Sequence, residues 1–294
     1  MSVDAVPLYT QEISRAQPAC FLFLLDQSGS MEEPLGGTDP PQRKCDALVD
    51  AINGWLNNMI IRASGSDGIR DWMHVGVVGY RTDDQNNPII GSAFQGPLAE
   101  ESLVPISRIH QNPLRVMDKT QRVFDQETGE MAEFPIQVPV WVEPTYAGGT
   151  PMCNALHHSY QLLEQWIGSH RSSFPPILVH ITDGESFDGD PIPYAEAIRA
   201  NLATENGNVL FFNCHLSMTA ADKILFPSGA ELLPDKLAQD LFKMSSVLPG
   251  PIFDRAVMEG FPLEPNARGF VFNADLVGLL QFLDMGTRVA KNLR

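Results

Sequence analysis

The stretch that most constrains the fold is FLFLLDQSGSM, at residues 21–31. Its first five residues are large and apolar without alternation, which predicts a strand buried on both faces in the middle of a parallel sheet. Asp26 follows at once, and Ser28 and Ser30 come at alternate positions. Ligand-binding crevices of such sheets lie at the carboxyl ends of strands, so these three side chains are expected there. An acid and two hydroxyls are hard oxygen ligands, which suit Mg²⁺, Mn²⁺ or Ca²⁺.

Strand and helix patterns alternate along the rest of the chain. Apolar runs predict strands at residues 21–25, 74–80, 176–186, 208–216 and 269–273. Apolar positions at helical spacing predict helices at residues 43–63, 151–167, 193–203 and 237–246, with a last helix from Asp275 onward. This repeated alternation predicts an α/β fold, a doubly wound and mostly parallel sheet with helices on both faces.

Length and composition favour one large domain. The chain has 294 residues, 44% of them hydrophobic, which is enough for a sizeable core. Residues 1–17 are expected to form an extended lead-in, and residues 18–294 a single domain with a proline-rich insertion at 82–144. Within the insertion, RVFDQETGEMAEF at residues 122–134 predicts an extended β-hairpin with Gly129 in its turn. This hairpin is either specific to a partner or a cap over a sheet edge.

The charge balance argues against some classes of partner. The sequence has 36 acidic and 20 basic residues, a net charge of −16, which disfavours nucleic acid and anionic membranes. The amino terminus lacks a basic segment followed by an apolar one, and no apolar run is long enough to span a membrane. These features predict a cytoplasmic protein.

The cysteines do not form a disulfide or metal signature. Cys20, Cys45, Cys153 and Cys214 are widely spaced, and no C-x-x-C pair occurs, so they are expected to be reduced and mostly buried. Cys153 and His157 stand four residues apart on a predicted helix and could share a soft metal ion. The sequence offers no second pair of ligands for such a site.

Two further loops belong to the same predicted edge of the sheet. They read AGGTPM at residues 147–152 and TDGES at residues 182–186. Together with DQSGS, they resemble the von Willebrand factor A (VWA) family, which includes the inserted domain of integrins. The metal-ion-dependent adhesion site of that family uses an Asp-x-Ser-x-Ser loop, a distant Thr and a distant Asp. The matching positions, in the family's order, are Asp26, Ser28, Ser30, Thr150 and Asp183.

The resemblance implies a binding module, not an enzyme. In the family these residues hold Mg²⁺, with Mn²⁺ or Ca²⁺ as alternatives, directly or through water. The ion keeps an open position for a glutamate or aspartate of a partner protein. The sequence looks closest to intracellular bacterial members of the tellurium-resistance-associated type, which occur beside Ser/Thr kinases and PP2C-type phosphatases. The resemblance therefore implies a role in bacterial signalling or stress response. Family members that switch do so by sliding the last helix, here the one carrying Leu276, Leu279 and Leu283, whereas other members are static modules.

Other functions stay open as alternatives. A haloacid-dehalogenase-type phosphatase has a second aspartate where this chain has Ser28, and no G-x-S-x-G or G-x-G-x-x-G loop occurs. A metal-dependent hydrolase or phosphatase remains an alternative because a bound Mg²⁺ polarises phosphates. A metal-independent scaffold is another. A second ion beside the first is also open, since Glu33 matches one of its ligand positions, although Pro34 replaces the next.

Overall fold

The computed structural model describes residues 8–36, 41–124, 131–217 and 223–273. Its strands, in chain order, are β1 (Ala19–Asp26), β2 (Ser64–Gly65), β3 (Gly68–Ile69), β4 (Met73–Thr82), β5 (Pro88–Ser92), β6 (Val104–Pro105), β7 (Arg115–Phe124), β8 (Met131–Val140), β9 (Ile177–Thr182), β10 (Ala203–Thr204), β11 (Gly207–Asn208), β12 (Leu210–His215), β13 (Ile224–Leu225) and β14 (Phe270–Phe272). Its α-helices are α1 (Lys44–Ala63), α2 (Ile106–Gln111), α3 (Met152–Ser169), α4 (Ile192–Asn201), α5 (Lys236–Met244) and α6 (Gly250–Met258).

A central sheet of eight described strands organises the molecule. Its order is β13-β14-β12-β9-β1-β4-β5, and β6 also pairs with β4. Strands β14, β12, β9, β1 and β4 run parallel to one another, whereas β13, β5 and β6 run antiparallel to their neighbours. The predicted fold class, a mostly parallel α/β sheet with helices on both faces, is confirmed.

The two faces of β1 explain why its apolar residues do not alternate with polar ones. Every residue of the strand is buried. Phe21 and Phe23 belong to a core that includes α1, whereas Leu22 and Leu24 belong to a second core that includes α3 and α4. A strand covered by helices on both sides has no face left for polar residues. The unbroken apolar run is therefore what a central strand requires.

The strand order creates a crevice beside β1. The chain passes from β1 through α1 to β4 on one side, and it later returns to β9 on the other side. The order therefore reverses at β1, and open α/β sheets bind ligands at such a reversal, outside the carboxyl ends of the strands. Here those ends are Asp26 on β1 and Thr182 on β9, which is followed by Asp183.

The predicted hairpin is present and longer than expected. Strands β7 and β8 pair antiparallel in a sheet of their own, and they pair with no strand of the described central sheet. Its base is instead attached to α1, where Asn53 donates to the carbonyl of Val142 at 2.8 Å and accepts from the N–H of Trp141 at 2.9 Å. The turn with Gly129 lies outside the described residues.

Both ends of the chain lie partly outside the described residues. The lead-in packs on the domain, since Ile13 is buried and the Tyr9 hydroxyl accepts from the N–H of Asn208 at 3.0 Å. The predicted last helix, from Asp275 with Leu276, Leu279 and Leu283, lies outside the described residues. No described helix is long and apolar enough to cross a membrane.

Candidate metal centre

The loop after β1 turns back on itself around the carboxylate of Asp26. The backbone N–H of Ser28 donates to Asp26 Oδ1 at 2.8 Å, which closes a tight turn. The turn brings the hydroxyl oxygens of Ser28 and Ser30 to 3.1 Å from each other. Asp26 and Ser28 are buried. Alternate positions in this sequence therefore place three oxygen-bearing side chains together at the end of a rigid central strand.

The loop after β9 adds a second carboxylate. Ser30 Oγ donates to Asp183 Oδ1 at 2.8 Å, a contact between residues 153 positions apart in the chain. Thr182 Oγ1 donates to Asp26 Oδ2 at 2.6 Å, so the last residue of β9 orients the carboxylate of β1. The role of Thr182 was not predicted from the sequence, although this residue directly precedes Asp183 in the same loop.

Thr150 reaches the same point from a third loop. A Cβ built on Gly184 would lie 3.3 Å from Thr150 Oγ1 and 3.9 Å from both Asp26 Oδ2 and Ser30 Oγ. Three oxygens from two loops therefore converge above Gly184, which belongs to the third loop. The Thr150 loop is held close by Gly148, whose φ is +66° and where any side chain would collide with the backbone of Thr82.

Backbone contacts lock the three loops to one another. The N–H of Gly29 donates to the carbonyl of Gly148 at 2.9 Å, and the N–H of Phe187 donates to the carbonyl of Thr150 at 3.2 Å. Asp188 adds a side-chain link, because its carboxylate accepts the backbone N–H groups of Cys153 at 3.0 Å and Asn154 at 2.9 Å. Asp188 thus caps the start of α3, which follows shortly after Thr150 in the chain. Asp188 itself belongs to the loop that carries Asp183.

Burial makes the carboxylate of Asp26 costly to ionise in the absence of a cation. Burial raises the pKa of Asp26 to about 6, and hydrogen bonds from Ser28 and Thr182 oppose that rise. The nearby charge of Asp183 adds to it. A cation held by the two carboxylates would relieve both unfavourable contributions.

A buried lysine completes the described surroundings of the site. Lys44 is the first residue of α1, and its Nζ lies 2.6 Å from Asp183 Oδ2 and 3.0 Å from Glu33 Oε2. Glu33 is thus ion-paired with Lys44, although its side chain is 46% exposed. Lys44 could not be predicted from the sequence, because a lysine at the start of a helix is ordinarily exposed.

All five residues predicted from the sequence lie together: Asp26, Ser28, Ser30, Thr150 and Asp183. Their donor set of two carboxylates and three hydroxyls fits a hard divalent ion such as Mg²⁺. Among the described residues, no group of three or more His, Cys, Asp or Glu side chains could hold a metal ion. A metal centre here depends on hydroxyl ligands, and metal binding by these five residues stays a prediction.

The four cysteines are buried, and the structure joins none of them in a disulfide. Cys153 Sγ lies 3.6 Å from Ser186 Oγ, whereas the side chain of His157 contacts Gln161. The soft-metal alternative for Cys153 and His157 gains no further ligand from these contacts.

Comparisons with known proteins give a structural likeness. No family model matches this sequence, and no curated protein matches it. The chain is similar to the crystal structure of the vWF domain of the type V pili tip protein Mfa5 from Porphyromonas gingivalis, at 12% identity over 58% of this chain and 39% of that chain, with a TM-score of 0.30. It is also similar to the ArnB paralog VWA2 from Sulfolobus acidocaldarius, at 10% identity over 69% of this chain and 36% of that chain, with a TM-score of 0.33.

A third similar structure is an uncharacterized membrane spanning protein from Vibrio fischeri, at 12% identity over 67% of this chain and 70% of that chain, with a TM-score of 0.26. The matches span less than two fifths of the length of the Mfa5 and VWA2 chains. The strand order and register of this chain define its fold class.

Proposed function

We propose that this protein is a VWA-type interaction module, which binds an acidic side chain of a partner protein through a divalent ion held by a metal-ion-dependent adhesion site. The observation that carries the proposal is the convergence of Asp26, Ser30 and Thr150 above Gly184, at the point where the strand order reverses. Ser28 and Asp183 complete the ligand set through their contacts with Ser30. Mg²⁺ is the proposed ion, with Mn²⁺ or Ca²⁺ as substitutes.

The balance of charge supports recognition centred on the ion. A protein with a net charge of −16 repels a carboxylate at long range, so an acidic group must be attracted locally. Hydroxyl ligands bring no charge of their own, which leaves the ion able to accept one more anionic oxygen. One such bond supplies direction, and the surrounding loops must supply most of the contact area.

The proposed partner is a protein that presents a glutamate or an aspartate to the ion. The sequence resemblance to tellurium-resistance-associated VWA proteins favours a bacterial signalling or stress-response setting, with a Ser/Thr kinase or a PP2C-type phosphatase as the partner. We propose binding and not catalysis, because the position of a second catalytic aspartate holds Ser28, which hydrogen bonds to Ser30.

Replacing Asp26 tests the metal centre. Calorimetric titration of the chelated protein with Mg²⁺ should show one dominant site, and Asp26→Ala should lose it because a buried charged ligand is removed. Asp183→Ala should weaken binding less if Asp183 acts through water. Asp254→Ala removes the same charge from an exposed part of α6 and serves as the control. Unchanged Mg²⁺ binding by Asp26→Ala would show that the assignment is wrong.

The same preparations address the hydrolase alternative. Under the proposal, a generic phosphate ester stays intact when the protein is loaded with Mg²⁺. Hydrolysis that depends on Mg²⁺ and disappears in Asp26→Ala would instead favour a metal-dependent phosphatase.

Replacing Thr150 tests recognition through the ion. Thr150→Ala removes a neutral oxygen without changing the charge of the protein. The Mg²⁺-dependent binding of a short peptide whose only charged side chain is one glutamate should therefore weaken about tenfold or more. The melting temperature of the chelated protein should hardly change, and Thr150→Ser should retain binding because it keeps the hydroxyl. The measurement is fluorescence titration, with the glutamine version of the peptide as a second control. Equal binding by Thr150→Ala, or in the presence of chelator, would exclude this mode of recognition.

A further inference from the structure

Lys44 is buried beside the proposed metal centre, although lysine side chains are almost always exposed. Its side chain is 3% exposed. The ammonium donates to Asp183 Oδ2 at 2.6 Å, to Glu33 Oε2 at 3.0 Å and to the carbonyl oxygen of Ser30 at 3.4 Å. An ammonium has three N–H donors, and each of these has a partner. The contacts fix the position of a full positive charge at the centre.

Both carboxylate oxygens of Asp183 are therefore in use. Oδ1 accepts from Ser30 Oγ at 2.8 Å, and Oδ2 accepts from Lys44. A divalent ion that interacts with Asp183, directly or through water, shares this carboxylate with the ammonium. The two cations repel each other across a short distance in a site that excludes most solvent, where charge–charge interactions are strong.

Lys44 also changes the net charge that an incoming ligand meets. Without a metal ion, Asp26, Asp183 and Lys44 leave one net negative charge. With a divalent ion bound, the same group carries one net positive charge, whereas without the lysine it would be neutral. Glu33 counts for less, because its side chain is 46% exposed and is screened by solvent. The lysine thus disfavours the ion and favours an anion that arrives after it.

We propose that Lys44 is a built-in cation that weakens the binding of the divalent ion alone and strengthens the binding of an anionic ligand to the loaded centre. This role rests on the proposed function and makes Lys44 a residue that determines the specificity of the proposed site. Lys44 lowers the affinity of the empty centre for Mg²⁺ and raises the affinity of the loaded centre for a carboxylate. Because coupling between two sites is reciprocal, a carboxylate that binds the loaded centre more tightly than the empty one raises the affinity for Mg²⁺ by the same factor by which Mg²⁺ raises the affinity for the carboxylate. The loaded centre is then formed mainly when an acidic ligand is present.

The test measures two affinities that should change in opposite directions. Mg²⁺ is titrated calorimetrically into the chelated protein at constant ionic strength, with acetate as the carboxylate probe and chloride as the control anion. Lys44→Met should tighten Mg²⁺ binding without acetate by about tenfold, within the range of about 5- to 150-fold that is typical of coupled sites. The same variant should weaken the binding of acetate to the loaded protein. In the wild type, acetate should tighten Mg²⁺ binding, and Lys44→Met should reduce that effect.

A structural role alone predicts a different pattern, because a distorted site would bind both ligands more weakly. Lys44→Gln is a second neutral variant that keeps an N–H donor for Asp183, in case Lys44→Met does not fold. Lys243→Met is the charge control, since Lys243 pairs with Asp240 and makes no contact with the centre in the described residues. Titration of Asp26→Ala measures the heat that acetate and Mg²⁺ release without binding at the centre.

The outcomes separate this inference from the proposed function. If wild-type protein shows no Mg²⁺ binding that Asp26→Ala removes, the proposed function is wrong and the role of Lys44 falls with it. If Mg²⁺ binds at the site but acetate leaves its affinity unchanged in the wild type, the inference alone is overturned. The inference alone is also overturned if neutral variants at position 44 weaken the binding of both ligands, or if Lys243→Met changes the two affinities as much as Lys44→Met does.

Discussion

Phe23→Ala should lower the free energy of unfolding by about 3–5 kcal/mol, because it removes a large side chain from the middle of the sheet. Phe23 is fully buried, and its ring meets that of Trp55 on α1 edge-on, with the centroids 4.9 Å apart. In register, it lies between Val77 of β4 and Val179 of β9. A cavity there has strand neighbours on both sides, so the surroundings relax little. Urea unfolding followed by circular dichroism measures the change.

Ile61→Ala is the matched control for this effect. Ile61 also lies on the α1 layer, but its side chain is 61% exposed. Truncation there should change the free energy of unfolding by no more than about 0.5 kcal/mol. Similar losses for the two variants would contradict a core centred on β1 and α1.

The strands of the parallel core could be predicted from the sequence because each is an apolar run that ends in polar residues. Residues 21–25 and 74–80 fall within β1 and β4, and residues 208–216 contain β12. Burial on both faces leaves a strong pattern in such strands. The order of the strands follows from pairing between distant segments, which a single sequence does not encode locally.

Other elements were missed because their patterns are weak. The edge strand β5 and the short helix α2 lie in the proline-rich section, and α6 begins within a proline–glycine–proline segment. Elements with few buried residues give little periodicity to detect. The hairpin was predicted from its turn, but its strands extend to Arg115 and Val140, well beyond residues 122–134.

The candidate site likewise contains some residues that could be predicted from the sequence and others that could not. Its five predicted ligands could be found because they follow strands or stand in short recognisable loops. The roles of Lys44 and Asp188 could not be predicted, because each residue acts through a contact with a segment distant in sequence. Lys44 and Asp183 are 139 positions apart, and Asp188 and Cys153 are 35 positions apart. Only the folded chain brings these groups together. The sequence therefore predicts the ligands, and the structure adds the charge that surrounds them.

A chain of hydrogen bonds beneath the site holds His180 in its neutral form. The Tyr80 hydroxyl lies 2.7 Å from His180 Nε2, and His180 Nδ1 lies 2.8 Å from Asn213 Oδ1. Asn213 Nδ2 donates to Ser245 Oγ at 2.9 Å, and that hydroxyl donates to the carbonyl of Leu241 at 2.8 Å. The amide oxygen of Asn213 requires a proton on Nδ1, so Nε2 is left to accept from Tyr80. Protonation of Nε2 would break this sequence of donors and acceptors.

Acid should therefore destabilise the protein through His180. Burial lowers the pKa of His180 to about 4, against an ordinary value of 6.5, and the hydrogen bond to Asn213 opposes that shift only in part. Because the folded-state pKa is the lower one, the unfolded chain binds the proton first. The stabilisation is fully present above pH 6.5 and is lost as the pH falls from about 6.5 to about 4, with a total loss of about 3 kcal/mol.

His180→Gln isolates this contribution. The variant should be less stable than the wild type at pH 7, because glutamine does not reproduce both hydrogen bonds, but its stability should fall less steeply as the pH is lowered. Urea unfolding of both proteins at several values between pH 7 and pH 4 gives the two slopes. Carboxylates and the other histidines titrate in both proteins, so their effects cancel in the difference. Parallel curves would mean that His180 takes up no additional proton on unfolding, which would contradict a neutral imidazole held between Tyr80 and Asn213.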